Sequence, residues 1–234
     1  MMSSKDPVLS PDNNFYIANG KRYVRITHAM STQMPKAWLD QWRARVGEDE
    51  ADRIMKETSG DGTLIHKVTE MHDKGEKDKV KALISQWPWL LPYWLAWKVW
   101  SEERIAEWIW IEKTAVHTTL RVGGTIDRLG VFKNDPSGTI VDIKSSSSLN
   151  PGMGVQLYAY RAIAMDTIER CRLPQYWKPE RTVIAHMPGP RWTTVDGRTV
   201  NSTELDRVVV KEYAWRDYQN EALDVINGYW ALAT

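Results

Sequence analysis

The chain has 234 residues, with 31 Lys and Arg against 30 Asp and Glu, and a formal net charge of +1. This length can bury one substantial core and predicts a single α/β domain over residues 1–234. The near-neutral balance excludes nucleic-acid binding through a global positive field, so such binding would need a local basic patch. The lone cysteine, Cys171, excludes a disulfide framework and a cysteine-ligated zinc or iron–sulfur cluster.

The N-terminal segment is polar over residues 1–14, which predicts a flexible stretch without the apolar centre of a signal peptide. Residues 15–30 place the pair Asn19-Gly20 between two β-prone runs, a pattern that predicts a hairpin. Apolar residues then recur at helical spacing. The predicted helices cover residues 35–58, residues 63–74 and one or two segments within 79–104, with a break at Ser59 to Gly62 and a further interruption considered at Gly47.

The second half of the chain alternates β-prone runs with turn signals and ends in helical patterns. The predicted strands cover residues 105–113, 116–122, 125–133, 139–144, 182–187 and 207–211, and the predicted helices cover 150–169 and 212–232. This order predicts a central mixed β-sheet flanked by helices, an α/β fold. No run of about 18 uninterrupted apolar residues occurs, so we expect no contact with a membrane and a cytoplasmic location.

Two carboxylates and a lysine fall in neighbouring apolar strands. Asp127 lies in one strand, and Asp142-Ile143-Lys144 ends the next. Asp142 and Lys144 are two positions apart, so they share one face of the strand, while Ile143 faces the core and leaves its carbonyl available. Oxygen ligands of this kind suit Mg²⁺ or Mn²⁺, and a lysine beside such an ion suits phosphodiester hydrolysis. The alternative is an ordinary Asp–Lys pair at the end of a strand.

The residues around these carboxylates resemble a known superfamily of nucleases. Its motifs match Gly124-Thr-Ile-Asp127-Arg, Val141-Asp142-Ile-Lys144-Ser and Gln156-Leu-Tyr-Ala-Tyr160, preceded by His66 on an early helix. In this order and spacing they resemble the PD-(D/E)XK superfamily, in the branch of the RecB nuclease domain and the phage-type recombination exonucleases. The resemblance covers roughly residues 60–165. It implies a restriction-endonuclease-like αβββαβ core within about residues 60–234, dependence on divalent metal, and DNA as the substrate.

The resemblance also implies roles for individual residues. His66, Asp127, Asp142 and the Ile143 carbonyl would hold one or two Mg²⁺ or Mn²⁺ ions, and Lys144 would be the catalytic lysine. Gln156 and Tyr160 lie four residues apart on one helix face and would brace the site or touch the DNA backbone. Several relatives in this branch bind an iron–sulfur cluster through four cysteines, and the single cysteine here predicts that this cluster is absent.

Five further residues are weaker candidates. Ser145 and Ser146 follow Lys144 and would hold phosphate oxygens, or form a plain loop. Arg128 would add positive charge toward DNA, or be a solvated surface residue. Glu70, one helical turn from His66, and Glu112, ahead of the Asp127 strand, would be accessories of the metal site, or ordinary glutamates.

Seven of the 13 tryptophans lie between Trp87 and Trp110. This cluster predicts a hydrophobic core or an interface between copies of the chain, with stacking on unpaired bases as the alternative.

The leading hypothesis is a DNA exonuclease of phage-recombination or repair type, acting on linear duplex or single-stranded ends beside a single-strand annealing or binding protein. The alternatives are an endonuclease, a catalytically silent DNA-binding scaffold, and a structural protein that never meets nucleic acid.

Overall fold

A mixed β-sheet of eight strands forms the centre of the protein, and helices cover both of its faces. The computed structural model describes residues 6–146, 148–150, 152–188, 192–195, 198–201 and 207–233. The strands are β1 (Val8–Leu9), β2 (Phe15–Ala18), β3 (Lys21–Arg25), β4 (Ile105–His117), β5 (Val122–Phe132), β6 (Asp135–Lys144), β7 (Pro179–His186), β8 (Trp192–Val195), β9 (Arg198–Asn201) and β10 (Val209–Glu212). The helices are α1 (Ile26–Gln33), α2 (Ala37–Val46), α3 (Glu48–Asp73), α4 (Lys77–Gln86), α5 (Leu91–Arg104), α6 (Gly152–Arg170) and α7 (Gln219–Leu232).

Strand order in the main sheet is β1-β2-β3-β5-β6-β7-β10, and β4 pairs with β5 off this path. The meander β4-β5-β6 is antiparallel, whereas β6 and β7 run parallel and are joined by the crossover helix α6. β8 and β9 pair antiparallel in a separate two-stranded sheet. The predicted mixed sheet flanked by helices is therefore confirmed, and α5-β4-β5-β6-α6-β7 has the expected order of helix, three strands, helix and strand.

Two hydrophobic cores lie on opposite faces of this sheet. On one face α1, α6 and α7 contribute residues such as Ile26, Leu157 and Ile226, all with no exposed surface. On the other face α3, α4 and α5 pack around Trp97, which is also fully buried. Most of the tryptophan cluster belongs to this second core, which was one of its predicted roles. The Trp97 and Trp108 rings stack with centroids 5.9 Å apart.

The helix α3 is longer than predicted. The expected break at Ser59 to Gly62 is wrong, because α3 is continuous over 26 residues. Each glycine costs a helix about 1 kcal/mol relative to alanine, and burial of Ile65 and Val68 against the sheet outweighs that cost. The actual break is at Gly47, whose φ of +91° ends α2 in a conformation that favours glycine.

Smaller differences occur at four places. The predicted hairpin ends at Arg25, and the residues after it begin α1. Two predicted strands, 105–113 and 116–122, are replaced by β4 and a turn, and the final helix begins at Gln219 rather than at Glu212. Within the N-terminal segment that was expected to be flexible, Val8 and Leu9 pair with β2. No helix in the described part of the chain is both long enough and apolar enough to cross a bilayer.

Candidate functional site

Three of the four predicted acidic residues meet in one small pocket. The pocket has a volume of about 260 Å³ and lies where α3, the three meander strands and α6 converge. Its lining includes His66, Glu112, Asp127, Asp142 and Lys144. Residues that are up to 78 positions apart in the sequence, from His66 to Lys144, are therefore brought together by the fold.

Three of these side chains form a compact group of metal-ligand type. The ligand atoms of His66, Glu112 and Asp127 all lie within 4.8 Å of one another. His66 Nδ1 is 3.4 Å from Glu112 Oε1 and 3.7 Å from Asp127 Oδ2. Burial alone would lower the pKa of His66, but Asp127, Glu112 and Asp142 outweigh it and raise the pKa to about 9. The imidazole is therefore protonated at neutral pH and is one of three cations beside these carboxylates, with Arg128 and Lys144.

Glu112 occupies its position through an unusual backbone conformation. Its φ is +48°, within β4, where L-residues other than glycine are uncommon. Such conformations cost about 1–3 kcal/mol and persist at functional sites when the surroundings hold them. Arg128 provides part of that hold, since its Nη1 donates to Glu112 Oε1 at 2.9 Å. The sequence predicted Glu112 only as an accessory of the metal site. In the structure its carboxylate is one of the three possible metal-ligand groups that lie within 4.8 Å of one another.

The buried Asp142 and the partly buried Lys144 form an ion pair in the same pocket. Lys144 Nζ lies 2.7 Å from Asp142 Oδ2, and the Asp142 side chain is 1% exposed. Burial raises the pKa of Asp142 to about 6, although the Lys144 charge opposes this. Burial would lower the pKa of Lys144, but Asp142 and Asp127 outweigh it and raise the pKa. Apart from this ion pair, the Asp142 carboxylate oxygens have no hydrogen-bond partner among the described residues.

The donor set fits a divalent cation. Two atoms bound to one Mg²⁺ at about 2.1 Å can be at most about 4.2 Å apart, and the His66 contacts to Glu112 and Asp127 are shorter than this. Asp142 Oδ1, which has no partner among the described residues, supplies a further acceptor in the same pocket. His66, Glu112 and Asp127 are therefore the residues that would hold such an ion, and Asp142 lines the same pocket.

The Ile143 backbone supports the ligands in this arrangement. Its carbonyl accepts a hydrogen bond from His66 Nε2 at 3.1 Å, and its amide donates to Asp127 Oδ2 at 2.7 Å. Such contacts fix the tautomer and orientation of metal-binding side chains. The carbonyl that the resemblance makes a metal ligand is here engaged by His66.

The two residues predicted on α6 lie at the pocket wall. Gln156 Nε2 donates to Tyr160 Oη at 2.7 Å, and both side chains line the pocket. The Tyr160 ring lies directly over β5, where a Cβ placed on Gly124 would be 2.5 Å from Tyr160 Cε1. Burial, followed by the charges of Asp142 and Asp127, raises the pKa of Tyr160 well above its usual value. This position suits bracing of the site.

Ser145 and Ser146 lie in a second, larger cavity that opens from the pocket and also reaches His66, Glu112 and Lys144. Ser146 Oγ donates to the carbonyl of Ser148 at 2.8 Å, and the Ser146 carbonyl accepts from His186 Nε2 at 2.7 Å. The backbone of Ser146, in the loop after Lys144, is thus held by a side chain of β7. Its predicted contact with phosphate remains a prediction.

Arg128 does not have the predicted surface role. Its side chain has no exposed surface, so it cannot contact DNA from this position. Its guanidinium donates to Asp73 at 2.7 Å, to the Asp127 carbonyl at 2.7 Å and to Thr69 at 3.2 Å, besides Glu112. It is therefore a buried structural residue that connects α3 to the metal-ligand strands.

Glu70 does not accompany His66 as predicted. Its carboxylate pairs with Lys67 at 2.9 Å and with Lys74 at 2.6 Å on the surface of α3. Burial would raise the pKa of Glu70, but the hydrogen bonds from the two lysines lower it. This glutamate stabilises a helix surface rather than the pocket.

Four pocket residues were missed by the sequence reasoning. Tyr16, Arg25, Ile26 and Thr27 also line the pocket. Tyr16 Oη and Thr125 Oγ1 lie 3.1 Å apart, which joins the N-terminal hairpin to β5. No local pattern marks these residues, because their proximity depends on the pairing of β3 with β5.

Comparison with known proteins gives a partial similarity. No protein-family model matches the chain. The chain is 27% identical over 142 residues to one subunit of the ATP-dependent helicase/deoxyribonuclease of Staphylococcus haemolyticus (strain JCSC1435). The alignment covers 54% of this chain but only 12% of the relative, so the chain matches a small part of that protein. This chain is thus distantly similar to part of a protein whose name includes a deoxyribonuclease.

Proposed function

We propose that this protein is a divalent-metal-dependent deoxyribonuclease that hydrolyses DNA phosphodiester bonds, with exonuclease action of recombination or repair type as the leading form. The observation that carries the proposal is the meeting of His66, Glu112 and Asp127 with the buried Asp142–Lys144 pair in one pocket. The partial similarity to a component of a helicase/deoxyribonuclease supports DNA as the substrate.

In this proposal each pocket residue has a defined task. A bound Mg²⁺ or Mn²⁺ would neutralise charge on the phosphate and make a water molecule more acidic. His66, Glu112, Asp127 and Asp142 would hold the cation. Lys144 remains charged at neutral pH because its pKa is raised, and its ammonium group would donate a hydrogen bond to a phosphate oxygen or to the attacking water.

Asp142 has a second task beside Lys144. The ion pair holds the ammonium group at the pocket, where it would otherwise lose part of its charge to burial. Loss of either partner would leave the other charge buried and unpaired. A variant at either position should therefore slow hydrolysis.

The direct test compares the parent with Asp142→Asn and Lys144→Ala on labelled DNA. Linear duplex, circular duplex and single-stranded DNA are incubated separately with Mg²⁺, with Mn²⁺ and with a chelator. The parent should release nucleotides only with metal, and each variant should be slower by at least about 100-fold, the lower end for a lost acid–base or charge-stabilising group.

Matched controls are Asp78→Asn and Lys81→Ala, because both residues are exposed on α4 and line neither cavity. They should cleave like the parent. A parent that cuts no DNA in any metal, or site variants that cut as fast as the parent, would disprove the proposal.

The same substrates separate the alternatives. Cleavage of circular duplex would identify an endonuclease, and metal-independent binding without cleavage would identify a scaffold. Two proposed partners are tested by measuring the molecular mass in solution. The protein alone tests for a second copy of the chain, and a mixture with a single-strand annealing protein tests for that partner.

A further inference from the structure

The pocket opens into a groove that the catalytic residues do not fill. This groove has a volume of about 1230 Å³ and shares Arg25, His66, Glu112 and Lys144 with the pocket. Pockets for small ligands are typically about 300–1,000 Å³, so a space of this size, continuous with a hydrolytic site, suits a segment of a polymer.

One wall of the groove is apolar and comes from α2 and α3. On α2, Leu39 and Trp42 are three residues apart and therefore lie on one face. On α3, Met55, Ser59, Gly62 and His66 follow at intervals of four, three and four residues, so they form one stripe that leads to the metal ligands.

Hydrophobic side chains on this wall remain open to solvent. Met55 is 42% exposed, and Trp42 is only partly buried. Neither belongs to the two sheet cores, so the core does not account for a tryptophan at this place.

The opposite wall is polar and short. It consists of the loop after β6, with Ser145, Ser146, Ser148 and Asn150. A Cβ placed on Gly62 would be 3.6 Å from Ser145 Oγ, so α3 and this loop approach each other closely near the pocket.

Charge in the groove is mostly positive. Among the described residues that line it, Arg25, Arg45 and Lys144 carry positive charge, and Glu112 carries the negative charge. Neither Arg25 nor Arg45 forms a salt bridge with any residue in the described part of the chain. By contrast, Arg43 on the same helix is engaged by Glu48 and Asp52.

We propose that this groove binds an unpaired DNA strand, with Trp42 stacking on a base and Arg45 contacting a backbone phosphate. Apolar and aromatic groups on one wall match the base faces that a single strand exposes, whereas paired bases keep those faces stacked within the duplex. Free arginines and serine hydroxyls match the phosphates. This inference rests on the proposed nuclease function, because it names the form of DNA that would reach the hydrolytic site. Binding to the groove can nevertheless be measured without cleavage.

The test measures binding by fluorescence anisotropy in a chelator, so that no cleavage occurs. The probes are a labelled 30-nucleotide oligo-dT and a labelled 30-base-pair blunt duplex of two annealed strands. Trp42→Ala should weaken oligo-dT binding by roughly 5- to 100-fold, the loss of one stacked base, and Trp42→Phe should recover most of it. Trp87→Ala is the matched control, since Trp87 is 39% exposed and lies outside the groove lining.

Arg45→Gln gives an independent reading. It should reduce the slope of log affinity against log salt for oligo-dT by about 0.7, the value for one phosphate on a single strand. Lys81→Gln, on the exposed side of α4, should leave the slope unchanged.

Each outcome decides between the claims. Equal oligo-dT binding by the parent and Trp42→Ala would overturn the groove proposal, as would an equal loss on the blunt duplex. If instead the parent binds oligo-dT through Trp42 but hydrolyses no DNA with metal, the nuclease proposal fails while the binding groove stands. Circular dichroism of each variant checks that the helices remain folded.

Discussion

Arg128 offers the sharpest test of how the fold supports the site. Its guanidinium makes four contacts in a position without solvent exposure, to Asp73, Glu112, Thr69 and the Asp127 carbonyl. The Asp73 carboxylate, 1% exposed, also accepts from Trp97 Nε1, but Arg128 is its only cationic partner among the described residues. Burial raises the pKa of Asp73, and the Arg128 charge opposes this shift.

Arg128→Met keeps an aliphatic chain but removes the charge and the donors. Removing one partner of a buried ion pair costs about 3–5 kcal/mol, a large share of the roughly 5–15 kcal/mol of a typical domain. At about 2–4 °C per kcal/mol for a domain of this size, the melting temperature should fall by roughly 6–20 °C. Scanning calorimetry and urea unfolding would measure the loss.

Two comparisons make this prediction specific. Arg170→Met removes an exposed i,i+4 pair with Asp166 and should cost no more than about 1 kcal/mol. Arg128→Met with Asp73→Asn should lose less stability than the two single changes added together, because the second change removes the unpaired charge. A loss below about 1 kcal/mol for Arg128→Met, or simple additivity in the double variant, would refute this account of the buried network.

The remaining predictions concern metal binding and packing. Because the pKa of His66 is about 9, a metal ion must displace its proton at neutral pH, so apparent Mn²⁺ affinity should rise with pH by up to about tenfold per unit and level off above pH 9. Below about pH 6, protonation of Asp142 should weaken binding further, and calorimetric titration that gives the same affinity from pH 5 to 9 would contradict both assignments. Gly124→Ala should destabilise the protein by about 1–3 kcal/mol, because its Cβ would meet the buried Tyr160 ring. Gly60→Ala, at a position on α3 where an added Cβ meets no neighbour among the described residues, should instead stabilise the protein by up to about 1 kcal/mol. Urea unfolding measures both changes in the free energy of unfolding, which should have opposite signs.

Local patterns determined the residues that share a strand or a helix face. The two-residue period of a strand predicts that Asp142 and Lys144 face the same way, and they lie 2.7 Å apart. The four-residue spacing on a helix likewise predicts the contact between Gln156 and Tyr160. The α/β fold followed from the order of apolar periods, since each element must bury one face against another.

Only the tertiary structure decided the roles of residues whose partners are distant in sequence. The sequence predicts that Arg128 is a surface charge, but the residue is buried between β5 and α3. A buried charge is costly unless it is paired, and Arg128 is paired with Asp73 on α3. Glu112 lies with His66 and Asp127 in the candidate metal group, and it does so from a residue of positive φ, a conformation that no propensity predicts. The groove of Trp42 and Arg45 depends on α3 remaining helical through two glycines, which packing against the sheet decides and local sequence opposes. The sequence by itself therefore determined the residue periodicity of the helices and strands and the types of side chain in the pocket. Burial and long-range strand pairing decided which charged residues line that pocket.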